Sequence, residues 1–218
     1  EHFRRSGYKT IKVGKIFHTG EAFEDPRSWD HDIVETSASK NPPEDQILKK
    51  QGKRGIVLKA DDAATWDGFV ARKAVEMIEQ SAKGDKPFFI AAGFRRPHSP
   101  YIAPEKYFAL YEPEKLKPRS GPSEHLRHIP QLALTYRLGA DSFPERQPGE
   151  TMAAYYASVS FMDAQVGVLL SALDRMNLWD NTVVVFHSDH GYHLGEHGGL
   201  WHKMCLFDET TRVPVLVA

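Results

Sequence analysis

Pro87-Phe-Phe-Ile-Ala-Ala-Gly93 carries no polar side chain, and this constrains the fold more than any other feature of the chain. A strand with one face in water alternates apolar and polar residues. A strand that is apolar throughout is covered on both faces, as in a parallel sheet flanked by helices. Thr182-Val-Val-Val-Phe-His187 repeats the pattern, and Val213-Pro-Val-Leu-Val217 reads as a third strand with Pro214 at its start or on an edge. Tyr8 to Val13 is a shorter strand, and Ile56-Val57-Leu58 a short extended piece. Between them, Thr65 to Ala82 places Trp66, Val70, Ala74, Met77 and Ile78 at helical spacing, with Gly84 as a stop. Thr151 to Met176 is the strongest helix, with Met152, Tyr156, Val159, Met162, Val166, Leu169 and Leu173 on one stripe. Pro104 suits the first turn of a short helix through Tyr111. Residues 19–55 and 112–150 are polar or proline-rich and read as loop. Alternating helix and strand predict an α/β fold, a sandwich around a largely parallel central sheet.

At 218 residues the chain suits one domain with a sizeable core, so 1–218 reads as a single domain. Lys plus Arg number 28 against 29 Asp plus Glu, which leaves no global field for nucleic acid or an anionic membrane. Any anion site must therefore be local. No uninterrupted apolar run approaches the ~20 residues that span a bilayer, so no membrane span is expected. The N-terminus lacks the apolar core of a signal peptide. The single Cys205 excludes an internal disulfide.

Ligands of parallel α/β sheets bind beyond the C-terminal strand ends, and three polar clusters stand at such places: 14–18, 95–101 and 188–203. The last belongs to His187–Lys203, seventeen residues with five histidines and four glycines. Asp189 is a hard oxygen donor and His190 an imidazole, a pair suited to a divalent cation. The same two residues also suit a loop-capping Asp and a His bonded to backbone. A zinc cage of the five histidines is the weaker reading, because the glycines and the lack of helical register argue against a preformed tetrahedral site. Lys203 is either an anion-binding cation or a solvated lysine. Lys15 and His18, spaced i and i+3 after a strand, are anion and proton-transfer groups or an ordinary strand-exit turn. His98, between Pro97 and Pro100, is a positioned acid or a turn residue. Asp61-Asp62 resembles a metal-binding pair, although capping of the next helix explains it more simply. Asp163 reads as a buried hydrogen-bonding residue of the long helix.

Taken together and in order, Gly14-Lys-Ile-Phe-His18, Pro87 through Arg95-Arg-Pro-His-Ser-Pro-Tyr101, Tyr155-Tyr-Ala-Ser-Val-Ser-Phe-Met-Asp163, and His187 through Val213-Pro214 resemble the sulfatase family of the alkaline-phosphatase superfamily. The iduronate-2-sulfatase-like branch is the nearest in pattern, and the resemblance covers essentially the whole chain. It implies a sulfatase/alkaline-phosphatase-like sandwich and a hydrolase that removes sulfate from a sulfated carbohydrate such as a glycosaminoglycan. It assigns Asp189 and His190 to a divalent cation, usually Ca2+, and Lys15 and Lys203 to the sulfate oxygens. His18 would assist the nucleophile or its release from the sulfated intermediate. His98 would face the leaving-group oxygen, and His193 and His197 would contact substrate or support the residues that do. A secreted, periplasmic or lysosomal setting is also implied. The family's nucleophile is a formylglycine made within Cys/Ser-x-Pro/Ala-x-Arg, upstream of the Gly-Lys-Ile-Phe-His segment. No such motif is read anywhere in the chain and no accompanying aspartate pair before Lys15, and Cys205 reads as a structural thiol. The expectation is therefore the central part of one catalytic domain, lacking the nucleophile segment and a C-terminal subdomain, and inactive alone. A phosphodiester or phosphonate monoester hydrolase of the same superfamily, sharing Asp-His-Gly, is an alternative. A non-catalytic binding module built on the fold is another.

Overall fold

Ile11 and Val13 have no exposed surface. They lie on β1 (Lys9–Gly14), the middle strand of a parallel sheet between β2 (His31–Ile33) and β4 (Phe88–Gly93). Full burial of each side chain contributes about 1.5–3 kcal/mol. Their partners are Trp66, Val70, Ala74 and Met77 on one face of α2 (Trp66–Ser81), which follows the one-turn α1 (His2–Arg5). The expected start of α2 holds because Thr65 caps it, its Oγ1 accepting from the Gly68 amide at 3.0 Å. Between the apolar positions of β1 stands Lys12, also buried, which ion-pairs with Glu24 and with Asp32 at 2.9 Å. Burial alone would lower the Lys12 pKa, but hydrogen bonds to the two carboxylates outweigh it and raise the value.

The computed structural model describes residues 1–18, 24–33, 55–119, 124–130, 147–201 and 203–218. Most of the 19–55 stretch, part of 112–150 and His202 lie outside the described residues. The rest falls into two compact units, Glu1–Tyr111 with Ala154–Leu178, and Glu112–Ala153 with Trp179–Ala218. The first unit holds a second parallel pair, β3 (Gly55–Leu58) and β5 (Tyr101–Pro104), whose Ile56, Leu58 and Ile102 form their own small core. Next comes α3 (Glu105–Phe108), the short helix expected after Pro104. Its Tyr107 packs with Ala103, Ala157 and Phe161, the last two from α4 (Pro148–Met176). The second unit contains α5 (Glu196–Gly199), α6 (Asp208–Thr211), and an antiparallel pair of β6 (Val185–His187) and β7 (Val215–Val217).

Several expectations are corrected. β2 and β5 fall where loop was read, because His31-Asp-Ile33 has no apolar pattern and β5 ends on Pro104. Phe88 to Ala92 are only half-buried among the described residues. β6 and β7 are shorter than read and paired antiparallel, with Val185 58% and Leu216 63% exposed. An apolar run reports a preference for strand, whereas direction and cover depend on distant chain. The most deeply buried face of α4 is Ala154, Ala157, Ser158, Phe161, Gln165 and Ala172, beside the stripe of large residues. Small side chains there admit close neighbours: a Cβ on Gly55 would lie 2.7 Å from that of Ala154. Asp163 is exposed, and Gln165 is the buried polar residue of that helix. By length and composition alone α4 could cross a membrane. Its apolar residues are interrupted by polar ones instead of forming one run, which is why no span was read from the sequence.

Candidate functional site

At the C-terminal edge of the first sheet, Gly14 pairs with Gly93 in register. A Cβ on Gly93 would sit 1.8 Å from the Lys15 carbonyl oxygen, so only glycine allows the two chains to pass. The Lys15 amide then donates to the Gly93 oxygen at 2.9 Å. Lys15 and the loop after β4 therefore leave the sheet side by side, and His18 stands exposed three residues on.

That loop is built around two residues the sequence reading did not single out. Asp67, 1% exposed in the first turn of α2, accepts the amides of Arg95 at 2.8 Å and Arg96 at 2.9 Å. Burial raises the Asp67 pKa against the opposing pull of Arg96 and the two amides. Arg96 is buried as well, and its Nη1 donates to the carbonyls of His98 and Pro100, both at 2.7 Å. With its amide bonded to the Arg95 oxygen at 2.8 Å, His98 is held by backbone on both sides while its ring is exposed. A carbonyl only accepts, so Nδ1–H donates to Ser99 at 2.7 Å, and Nε2 is the acceptor of the neutral ring. A signal for Asp67 was present: a carboxylate between Trp66 and Gly68, inside an apolar helix face.

Asp61-Asp62 takes neither role weighed for it. Asp62 accepts from Tyr107 at 2.6 Å and Gln165 at 3.2 Å and pairs with Lys106 at 2.9 Å, tying three elements together. Burial opposes its charge, but these donors outweigh burial and lower the Asp62 pKa. The Tyr107 phenol, buried and bonded to that carboxylate, is pushed up to about 12.

In the second unit the glycine-rich loop folds back on itself. The Gly191 amide donates to the Thr210 oxygen at 2.9 Å, and a Cβ there would meet the Glu209 oxygen at 2.0 Å. His190 is fixed by Nδ1–H donating to Gly191 at 2.8 Å, and its backbone oxygen accepts from Ser188 Oγ at 2.8 Å. Its Nε2 therefore carries the lone pair, and Lys203 Nζ donates to it at 2.8 Å. Asp189, 74% exposed, lies 3.8 Å from the same nitrogen. Two donors so spaced can share one Ca2+ at ~2.3–2.6 Å from each, so the pair suits part of a cation shell. Lys203 would have to release His190 for that.

His193 and His197 both meet protein groups of the same loop region. His193 has no exposed surface, and its Nε2 lies 3.0 Å from Cys205 Sγ. His197 pairs through Nε2 with Glu209 at 3.0 Å and stacks on Phe207 at 3.9 Å. Burial opposes the charge of Glu209, but the His197 hydrogen bond outweighs it and lowers that pKa.

A family model described as Sulfatase matches residues 1–218. The chain belongs to the sulfatase family. It is 32% identical over 242 residues to iduronate 2-sulfatase of Mus musculus, covering 100% of this chain and 44% of that protein. To choline-sulfatase of Rhizobium meliloti (strain 1021) it is 31% identical over 237 residues, covering 100% of this chain and 46% of that protein. This sulfatase chain thus spans less than half the length of these relatives. In fold it is similar to the phosphonate monoester hydrolase of Agrobacterium radiobacter, with a TM-score of 0.72 at 20% identity over 98% of this chain and 51% of that one.

The sulfatase chain also holds one literal match to Ser-x-Pro-x-Arg, Ser142-Phe-Pro-Glu-Arg146, which the sequence reading passed over. It follows Lys15, His18 and His98 in order instead of preceding them, and it lies outside the described residues.

Proposed function

We propose that this chain is part of a sulfuric-ester hydrolase acting on a sulfated sugar, in the manner named for its iduronate 2-sulfatase relatives. The observation that carries the reading is the gathering of Asp189, His190 and Lys203 in one loop folded back through its glycines. From there Lys203 would turn from His190 to the sulfuryl oxygens when the cation is bound.

Sulfate-ester cleavage places negative charge on the sulfuryl oxygens and on the leaving oxygen, so the groups required are cations and a proton donor held in place. Lys15 and Lys203 are assigned to the sulfuryl oxygens. His98, on its fixed loop, is assigned to the leaving-group oxygen, to which Nε2 would donate once the ring is protonated to the imidazolium. His18 is assigned to assisting the nucleophile. Asp189 and His190 would hold the divalent cation, Ca2+ in this reading, which would supply Lewis-acid stabilisation of charge when bound. The assigned residues include no nucleophile, so the 218 residues alone are expected to turn over no aryl sulfate. The same cationic groups would also serve a phosphonate or phosphate ester. The test is a substrate panel on the full-length protein. Sulfate release from sulfated sugars well above phosphonate monoester turnover supports the proposal. The reverse order favours the phosphonate reading, and no turnover of either favours a binding module.

A further inference from the structure

The second unit contains a further group of metal-competent side chains that the proposed reaction does not use. One ligand atom each from His193, His197 and Glu209 all lie within 4.8 Å of one another. Three observations lift this above an ordinary surface pair. His193 is completely buried, and its Nδ1 has no hydrogen-bond partner among the described residues; the nearest carboxylate oxygen, on Glu196, is 3.6 Å away. Whichever ring nitrogen holds the proton, one polar atom of that imidazole is left unsatisfied, which is costly without a partner. His197 holds a left-handed backbone, φ +50°, which a non-glycine residue adopts at a cost. Its ring is set face-on against Phe207, 12° from parallel, so the side chain is locked in orientation as well.

We propose that His193, His197 and Glu209 bind a divalent transition-metal ion, zinc foremost, at a site separate from Asp189 and His190. Two imidazoles and one carboxylate make a donor set of borderline softness, suited to Zn2+ or Co2+ and poorly suited to Ca2+, which takes six to eight oxygens. Three protein ligands leave the fourth position of a tetrahedral ion to water. Cys205 touches His193 and not the cluster as a whole, so its sulfur orients the ring without ligating, as partners of metal-bound histidines do. The ion has a structural consequence. Lys203 lies in the chain between His197 and Glu209, so coordination by the ion would close a chain loop around the lysine that meets His190. The inference stands on these residues alone and survives any substrate assignment.

The full-length protein is stripped of metal, saturated with Ca2+ to fill oxygen-rich sites, and titrated with Co2+ while visible absorption is recorded. The expected result is uptake of one equivalent, with the d–d bands of a low-coordinate ion and no strong thiolate-to-cobalt charge transfer. Glu209→Gln should weaken that uptake by more than about tenfold, while Asp189→Asn leaves it intact. Because His193 is in the core, the test rests on Glu209, whose side chain is 36% exposed. Zn2+ should also slow amide hydrogen exchange across 193–209 in the native protein but not in the Glu209→Gln variant. No Co2+ uptake, equal uptake by Glu209→Gln, or loss of uptake in Asp189→Asn would each overturn the proposal. Sulfate-ester turnover is read separately, so failure of this site and failure of the hydrolase reading can be told apart.

Discussion

Asp67 shows how a single buried carboxylate can organise a reactive loop without touching substrate. Its two oxygens accept the Arg95 and Arg96 amides, and Arg96 in turn holds the carbonyls around His98. Asp67→Asn sets an NH2 group against one of those amide donors, so a stability loss of about 1–3 kcal/mol is expected, read as a lower urea midpoint with unchanged slope. An unchanged midpoint would contradict the arrangement. Asp62 has a different pH signature. Its pKa is lowered in the folded chain from an ordinary 3.8, so its contribution is complete above that value and is lost as pH falls through the lower, folded value. Asp62→Asn should therefore flatten the acid limb of the stability–pH curve, and an unaltered limb would refute the assignment. Lys15, His18, His98, Asp189, His190 and Lys203 were legible as residue types with an order along the chain. Asp67 offered only a carboxylate within an apolar helix face, and Arg96 offered nothing, because residues that act through backbone groups leave no motif.

Among the elements, β1 and β4 depend on the close passage at Gly93. Gly93→Ala would put its Cβ 1.8 Å from the Lys15 oxygen, with backbone in the way and no flexible side chain to yield. The expected loss is at least about 1–3 kcal/mol, with Lys15 displaced from the sheet edge. Thermal unfolding reads the first effect, and substrate KM in the full-length protein the second. A fully stable variant would mean the strand ends pass less closely than described. The long periodic segments, α2 and α4, were readable because apolar residues at 3.6-residue spacing have few other uses. β2 and β5 were not, since three or four residues paired at a distance carry little local signal. The direction of β6 against β7 was likewise hidden, because apolar content encodes strand preference and neither cover nor pairing.

On the scale of the whole molecule, family membership rests on the full 218 residues, while the chain spans less than half of its relatives. The α/β class and the parallel sheet were readable because apolar runs and helices alternate. The separation into two compact units was not, since helix α4 runs through the boundary at Ala154 without any break in pattern. The account's central claim is that the Lys203 ammonium, brought to His190 by the folded glycine loop, serves sulfate-ester hydrolysis. The direct measurement is kcat/KM for a sulfated sugar with the full-length protein and its Lys203→Ala variant, both saturated with Ca2+. A loss of about 10²–10³-fold, with the variant as stable as the native protein, is the predicted result. Equal kcat/KM for the two proteins would contradict it.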